Sequence, residues 1–264
     1  MNSNPQDGTS VKKYGLALHT ASRELGLAIS NFAGDSRCQT WNLDRDLATH
    51  LHQYLVEFLG SQTWADLAFI AVAKGPGGFT GTRMGMVTAR TLAQQLDIPV
   101  FAVSTLAAVA WAEPPQPPLA KGGLLTAEPS LAKGGLLTAE PSLAKGGLLN
   151  TEPPQPPLAK GGLLREDMAL QMPAQRGQLF GAVYSVNKDC GLTELFPDTV
   201  MTAESWQKKL ESWENSYQLI EVGSELGSSV SSVLELAYLE WKQGSRPDWS
   251  DALPFYGQHP VKGH

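Results

Sequence analysis

Apolar and polar positions in the first hundred residues follow two different periods. Residues 14–20 (Tyr-Gly-Leu-Ala-Leu-His-Thr) form an apolar run that turns polar at His19 and Thr20, with further runs at 25–31 and 36–41. Their close spacing predicts three antiparallel strands joined by turns. From Asp44 the period lengthens: Leu47, Leu51, Tyr54, Leu55 and Phe58 share one stripe, so a helix is predicted from Asp44 to Gly60, which closes it. Strand 67–73, helix 81–95, strand 98–102 after Pro99, and a third helix from a Ser104 cap to about Ala112 follow. Beyond residue 164 the pattern resumes. Strands are predicted at 168–172 and 179–186 around the turn 173–177, then at 191–196. A helix runs from a Thr202 cap to about Trp213, followed by a strand at 217–222 and a helix at 228–241 closed by Gly244.

Between the strand at 67–73 and the helix at 81–95 the chain reads Lys74-Gly-Pro-Gly-Gly-Phe-Thr-Gly-Thr-Arg-Met-Gly85. A strand feeding a glycine-rich turn and a helix N-terminus presents free N–H groups and a partial positive charge, which is an anion cradle. Gly75, Gly77, Gly78, Thr80, Gly81 and Arg83 are the candidate phosphate contacts. Neither a Walker A loop nor the dinucleotide fingerprint is present. Equally open is a tight strand-to-helix connection whose glycines serve geometry alone. Gly81, Gly85, Ala89 and Ala93 recur every fourth residue, so one helix face is nearly bare backbone that another helix can approach.

Residues 113–164 break the pattern. Leu-Ala-Lys-Gly-Gly-Leu-Leu recurs at 119, 131, 143 and 158, and ten of the 18 prolines fall here. Each unit is too short and too broken for a helix turn count or a strand face, so the segment is expected to be a flexible insertion. The polar segment 1–12 reads as a disordered tail.

The 42% hydrophobic content allows a real core, and a formal charge of −6 with mixed signs disfavours an independent nucleic-acid binder. With no signal-peptide pattern and no run of membrane-spanning length, the chain is expected in the cytosol. Cys38 and Cys190, far apart, fit reduced thiols. His50 and His52 cannot chelate one ion from a helix, because i and i+2 point apart. His19 is expected to be a hydrogen-bonded strand-end histidine, since no Ser or Cys nucleophile pairs with it in a known motif. Arg83 serves equally well to hold a phosphate or to pair a carboxylate. No carboxylate pair at the glycine loop suggests acid–base work.

The element order resembles the actin, sugar kinase and Hsp70-like (ASKHA) α/β fold. The stretch 75–85, preceded by Leu-Ala-Leu-His-Thr-Ala-Ser22 and followed by Ile98-Pro-Val-Phe-Ala-Val-Ser-Thr-Leu106, is similar to the TsaB (YeaZ) family. Ala174-Gln-Arg-Gly-Gln-Leu-Phe180 and Pro254-Phe-Tyr256 resemble it more loosely. The resemblance implies two related subdomains, here 13–112 and 165–264, separated by the repeat insert, which has no counterpart in the family pattern. It also implies a non-catalytic subunit, without catalytic residues, metal or cofactor of its own, that dimerises with a TsaD-type catalytic subunit. A TsaE-type ATPase joins that complex, which places N6-threonylcarbamoyl on adenosine 37 of tRNA, and tRNA is met only through the complex. In the family the first two helices form the interface; Leu51, Leu55, Gly81, Gly85, Ala89 and Ala93 are the candidates here. A homodimer of the chain alone, and nucleotide held by the glycine loop, stay open.

Departures from the family pattern matter. His19 stands where the family has Asp, which removes a hard oxygen ligand for Mg²⁺ and argues against phosphoryl transfer. Gly78 replaces a Ser, and Pro173 and Gln178 replace acidic residues. The alternatives are a nucleotide-dependent phosphotransferase of the same fold and a metalloprotease, the latter needing a metal cluster that the sequence does not offer.

Overall fold

A computed structural model of the chain describes residues 13–112, 167–187 and 191–257. The expected insert 113–164, the tail 1–12 and Cys190 lie outside the described residues. The first half runs β1 (Tyr14–His19), β2 (Glu24–Ser30), β3 (Ser36–Asn42), α1 (Leu47–Leu59), β4 (Leu67–Ala73), α2 (Phe79–Leu96), β5 (Val100–Val103) and α3 (Thr105–Ala112). The second runs β6 (Asp167–Pro173), β7 (Gln178–Asn187), β8 (Gly191–Thr202), α4 (Ala203–Glu211), β9 (Tyr217–Glu221) and α5 (Val230–Lys242).

The first sheet has the order β3-β2-β1-β4-β5 and the second β8-β7-β6-β9. Antiparallel pairing joins β3 to β2 and β2 to β1, and parallel pairing joins β1 to β4; β8, β7, β6 and β9 repeat those relations in turn. The second sheet therefore copies the first without an equivalent of β5.

Strand alternation sorts the core into layers. Leu16, Leu18, Ile70 and Val72 face Leu47, Leu51 and Leu55 of α1 and Met86, Ala89 and Ala93 of α2. Ala17, Phe69, Ala71 and Phe101 point the other way, into a core shared with α3, α5 and Met168, Leu170 and Ala182 of the second sheet. Trp206 and Leu210 of α4 cover that sheet's far side over Ala169 and Val183. Polar ties cross the shared core: Trp111 Nε1 donates to Glu235 Oε2 at 2.7 Å, and the Tyr184 hydroxyl lies 3.3 Å from Ser104 Oγ.

Of the boundaries that differ from the predicted ones, three have a visible cause. Residues 44–46 wind a 3-10 turn, with Asp44 at φ 41 and its N–H bonded to Arg23 O, so α1 starts at Leu47. Helix α2 starts at Phe79, directly after the glycine turn. Strand β8 runs to Thr202 because its register against β7 shifts where Pro197, which has no N–H for the ladder, would otherwise break it. In that shift Pro197 and Asp198 together oppose Ala182.

Candidate functional site

Strand β4 ends at Ala73, and the five residues that follow turn the chain into α2. Each turn is fastened by backbone bonds: Lys74 N donates to Val103 O (2.8 Å), Thr105 N to Gly75 O (2.8 Å), Phe255 N to Lys74 O (2.7 Å) and Gly78 N to Ala21 O (2.7 Å). Gly75 takes φ 99, and a Cβ there would stand 2.5 Å from Phe255 O. A Cβ on Gly77 would overlap Ala21 O, and one on Gly81 would overlap Thr20 O. These glycines exist for close backbone approach, the packing role open to them in the sequence.

The loop also borders a cleft. A cavity of about 1160 Å³ lies between the β1–β2 turn (21–23), the start of α1, the α2 N-terminus and, from the second half, Met172–Arg176, Phe180, Leu226 and Tyr256. Gly77, Gly78, Thr80 and Gly81 line it, whereas Gly75 and Arg83 do not. Helix α2 has no side-chain N-cap among the described residues, so the positive end of an 18-residue helix meets the cleft. Tyr256 stacks on Phe79 at its edge, ring centroids 4.5 Å apart. Arg23, Arg45 and Arg176 reach the cleft from three separate turns, Arg176 at φ 60, and Asp44 is the one acid among the lining residues. The Arg23–Asp44 pair, 3.8 Å apart and largely in solvent, holds little energy.

Several sequence-based expectations are corrected. Arg83 is exposed on α2 and reaches neither the cleft nor a carboxylate among the described residues. His19 is fully buried, and neither ring nitrogen finds a hydrogen-bond partner among the described residues; burial lowers its pKa to about 4, so the ring is neutral near pH 7. The expected hydrogen-bonded strand-end histidine is thus an enclosed, unpartnered one. The candidate interface set also turns inward. Leu51, Leu55, Ala89 and Ala93 are 0–2% exposed in the chain's own core. Gly81 and Gly85 abut Thr20. Those side chains offer nothing to a partner. Among the residues that the two helices leave outside are His52, Gln53, Val56 and Glu57 on α1, and Arg83, Val87 and Thr91 on α2, with Val56 61% and Val87 56% exposed.

The residues missed by sequence reasoning are Thr20 and Ala21, against which the loop packs, and the three cleft arginines. The glycine spacing announced a close neighbour without naming it. The arginines sit in three unrelated turns and share no pattern. His50 packs edge-on to Tyr54 within α1, ring centroids 6.1 Å apart. Among the described residues no helix is long and apolar enough to cross a membrane.

Two sheets of one strand order, a helical core between them and a cleft at the glycine loop define the class: an α/β protein of duplicated strand order. The family model described as TsaD, tRNA N6-adenosine threonylcarbamoyltransferase, matches residues 48–121. The chain is 58% identical over 45 residues to the tRNA threonylcarbamoyladenosine biosynthesis protein TsaB of Bacillus subtilis (strain 168), covering 17% of this chain and 20% of that protein. It is 46% identical over 48 residues to the protein of the same name from Buchnera aphidicola subsp. Schizaphis graminum (strain Sg), covering 18% and 23%. The matches thus span about a fifth of the length of these relatives. YeaZ from Pseudomonas aeruginosa shares the fold, with a TM-score of 0.60 and 18% identity over 92% of this chain and 99% of that one. A Pseudomonas aeruginosa protein described as similar to peptidase YEAZ does so too, at 0.61 and 18% over 93% and 99%. Over that fifth of their length the chain is similar to proteins named TsaB, and the solved YeaZ structures share its fold.

Proposed function

We propose that the chain is a non-catalytic subunit of the cytoplasmic machinery that places N6-threonylcarbamoyl on adenosine 37 of tRNA. It acts by dimerising with a TsaD-type catalytic subunit. A TsaE-type ATPase joins the pair, tRNA is met only through the complex, and the chain needs no cofactor of its own. The two halves, 13–112 and 165–264, are subdomains of an actin-like architecture. The observation that carries this reading is the outer face of α1 and α2, where Val56 and Val87 stand exposed on two helices whose inner faces are fixed in one core. Apolar residues on an otherwise polar face suit an interface. Asp44, the one acid among the described residues lining the cleft, and the enclosed His19 further favour a supporting role over catalysis.

Introducing charge at this face tests it: Val56→Glu with Val87→Glu abolishes co-purification with the TsaD-type subunit while the melting temperature stays near that of the parent. Unaffected dimerisation removes the interface.

A second reading draws on the three cleft arginines and the uncapped start of α2, which favour an anion, and with it a nucleotide-dependent phosphotransferase of the same fold. Nucleotide turnover by the isolated chain, lost on Arg176→Ala, supports that reading over the first. A homodimer through the same helix face is the state expected of the chain without its partner.

A further inference from the structure

Thr20 follows β1 directly and is fully buried. Its hydroxyl donates to Gly81 O at 2.8 Å, inside the first turn of α2. A Cβ on Gly81 would overlap the Thr20 carbonyl oxygen, and one on Gly85 would overlap the Thr20 hydroxyl and approach its Cβ to 3.3 Å and its Cγ2 to 3.4 Å. One turn earlier, Gly78 N donates to Ala21 O at 2.7 Å, and Gly77 is bare against the same oxygen. Positions 77, 78, 81 and 85 thus bear on two consecutive residues, Thr20 and Ala21, which form a socket for the first two turns of α2. Arg83 and Val87 stand on the exposed side of the same turns.

We propose that Thr20 is a positioning residue for partner binding: its hydroxyl sets how deeply α2 seats on the end of β1, and so where the outer face carrying Val87 lies. The proposal rests on the reading of that face as the dimer interface. The geometry gives it a sharp consequence. A hydroxyl oxygen sits comfortably 2.8 Å from a carbonyl oxygen, whereas a methyl carbon needs about 3.4 Å. Thr20→Val keeps the shape of the side chain, removes the tether and lifts the start of α2 by roughly half an ångström. Displacements of that order are enough to degrade a docked surface, since interfaces are packed as densely as cores. Thr20→Ser keeps the hydroxyl and leaves the seat in place.

The test is the affinity of the full-length chain for the purified TsaD-type subunit, with melting temperatures measured alongside. Thr20→Val weakens binding about tenfold and Thr20→Ser stays within about twofold of the parent, a difference on the scale of one well-placed hydrogen bond. Thr20→Ala, which loses the tether without lifting the helix, weakens binding about threefold and serves if the valine variant does not fold. Parental affinity in both Thr20→Val and Thr20→Ala, with Val87→Glu still abolishing binding, overturns the positioning role and leaves the interface standing. An unaffected Val87→Glu overturns the interface and the positioning role with it. A serine variant as weak as the valine one also overturns the proposal, because the hydroxyl is then not the operative group.

Discussion

Gly85 lacks a side chain because Thr20 fills its place: a Cβ at 85 would collide with the Thr20 hydroxyl. Helix α2 accordingly spends its smallest residues on contact with its own sheet, and the opposite side of the helix is the one left for other molecules.

Substitution of Gly85 is therefore a folding lesion. Gly85→Leu has no room at the Thr20 contact and destabilises the chain by about 1–3 kcal/mol or more through overpacking. Urea titration of the variant shows a midpoint well below the parent's. A midpoint equal to the parent's, with partner binding lost, would restore the small-residue face as the interface.

His19 confers acid sensitivity. Its folded-state pKa of about 4 lies below the ordinary 6.5, so folding favours the neutral ring. The contribution is whole above pH 6.5 and is lost as the pH falls from 6.5 toward 4, in full about 3 kcal/mol. His19→Leu, similar in volume and uncharged, removes that limb. Urea midpoints at pH 7 and pH 4.5 check it: the parent loses more stability than the variant over this interval, and parallel losses would contradict the assignment.

The shift in register of β8 has a measurable partner. It brings the Asp198 carboxylate to the Tyr184 hydroxyl, which donates to Oδ1 at 2.7 Å. Burial raises the pKa of both groups, and Asp198 Oδ2 has no hydrogen-bond partner among the described residues. Tyr184→Phe removes the Oδ1 donor from a carboxylate already short of partners, at a cost of about 1–3 kcal/mol. Thermal unfolding at neutral pH reads the loss; an unchanged melting temperature would show that the hydroxyl contributes nothing to holding that carboxylate.

Periodicity carried the first half of the fold far. The stripe of Leu47, Leu51, Leu55 and Phe58 named α1, and all four side chains are buried. The run of 67–73 matched β4 from end to end. Gly81, Gly85, Ala89 and Ala93 were rightly read as one face, but spacing states which residues share a face and not what covers it. A strand end filled the role expected of a partner helix. Strand β8 outran its predicted end because Pro197 reads as a stop, and only the shifted pairing with β7 absorbs it. The cleft was harder still. Arg23, Arg45 and Arg176 converge from turns far apart in the chain, and no local pattern can announce a meeting made by the two sheets. The repeats at 113–164 and the tail at 1–12 were expected to be loose, and they lie outside the described residues.

In the proposed role the chain supports a catalytic partner without doing chemistry itself. The most direct measurement is threonylcarbamoylation of tRNA by purified TsaD-type and TsaE-type partners, with and without this chain. Modified tRNA is expected only when the chain is present, undiminished by Arg176→Ala and abolished by Val56→Glu with Val87→Glu. Full modification in its absence, or with the doubly charged face, would contradict it.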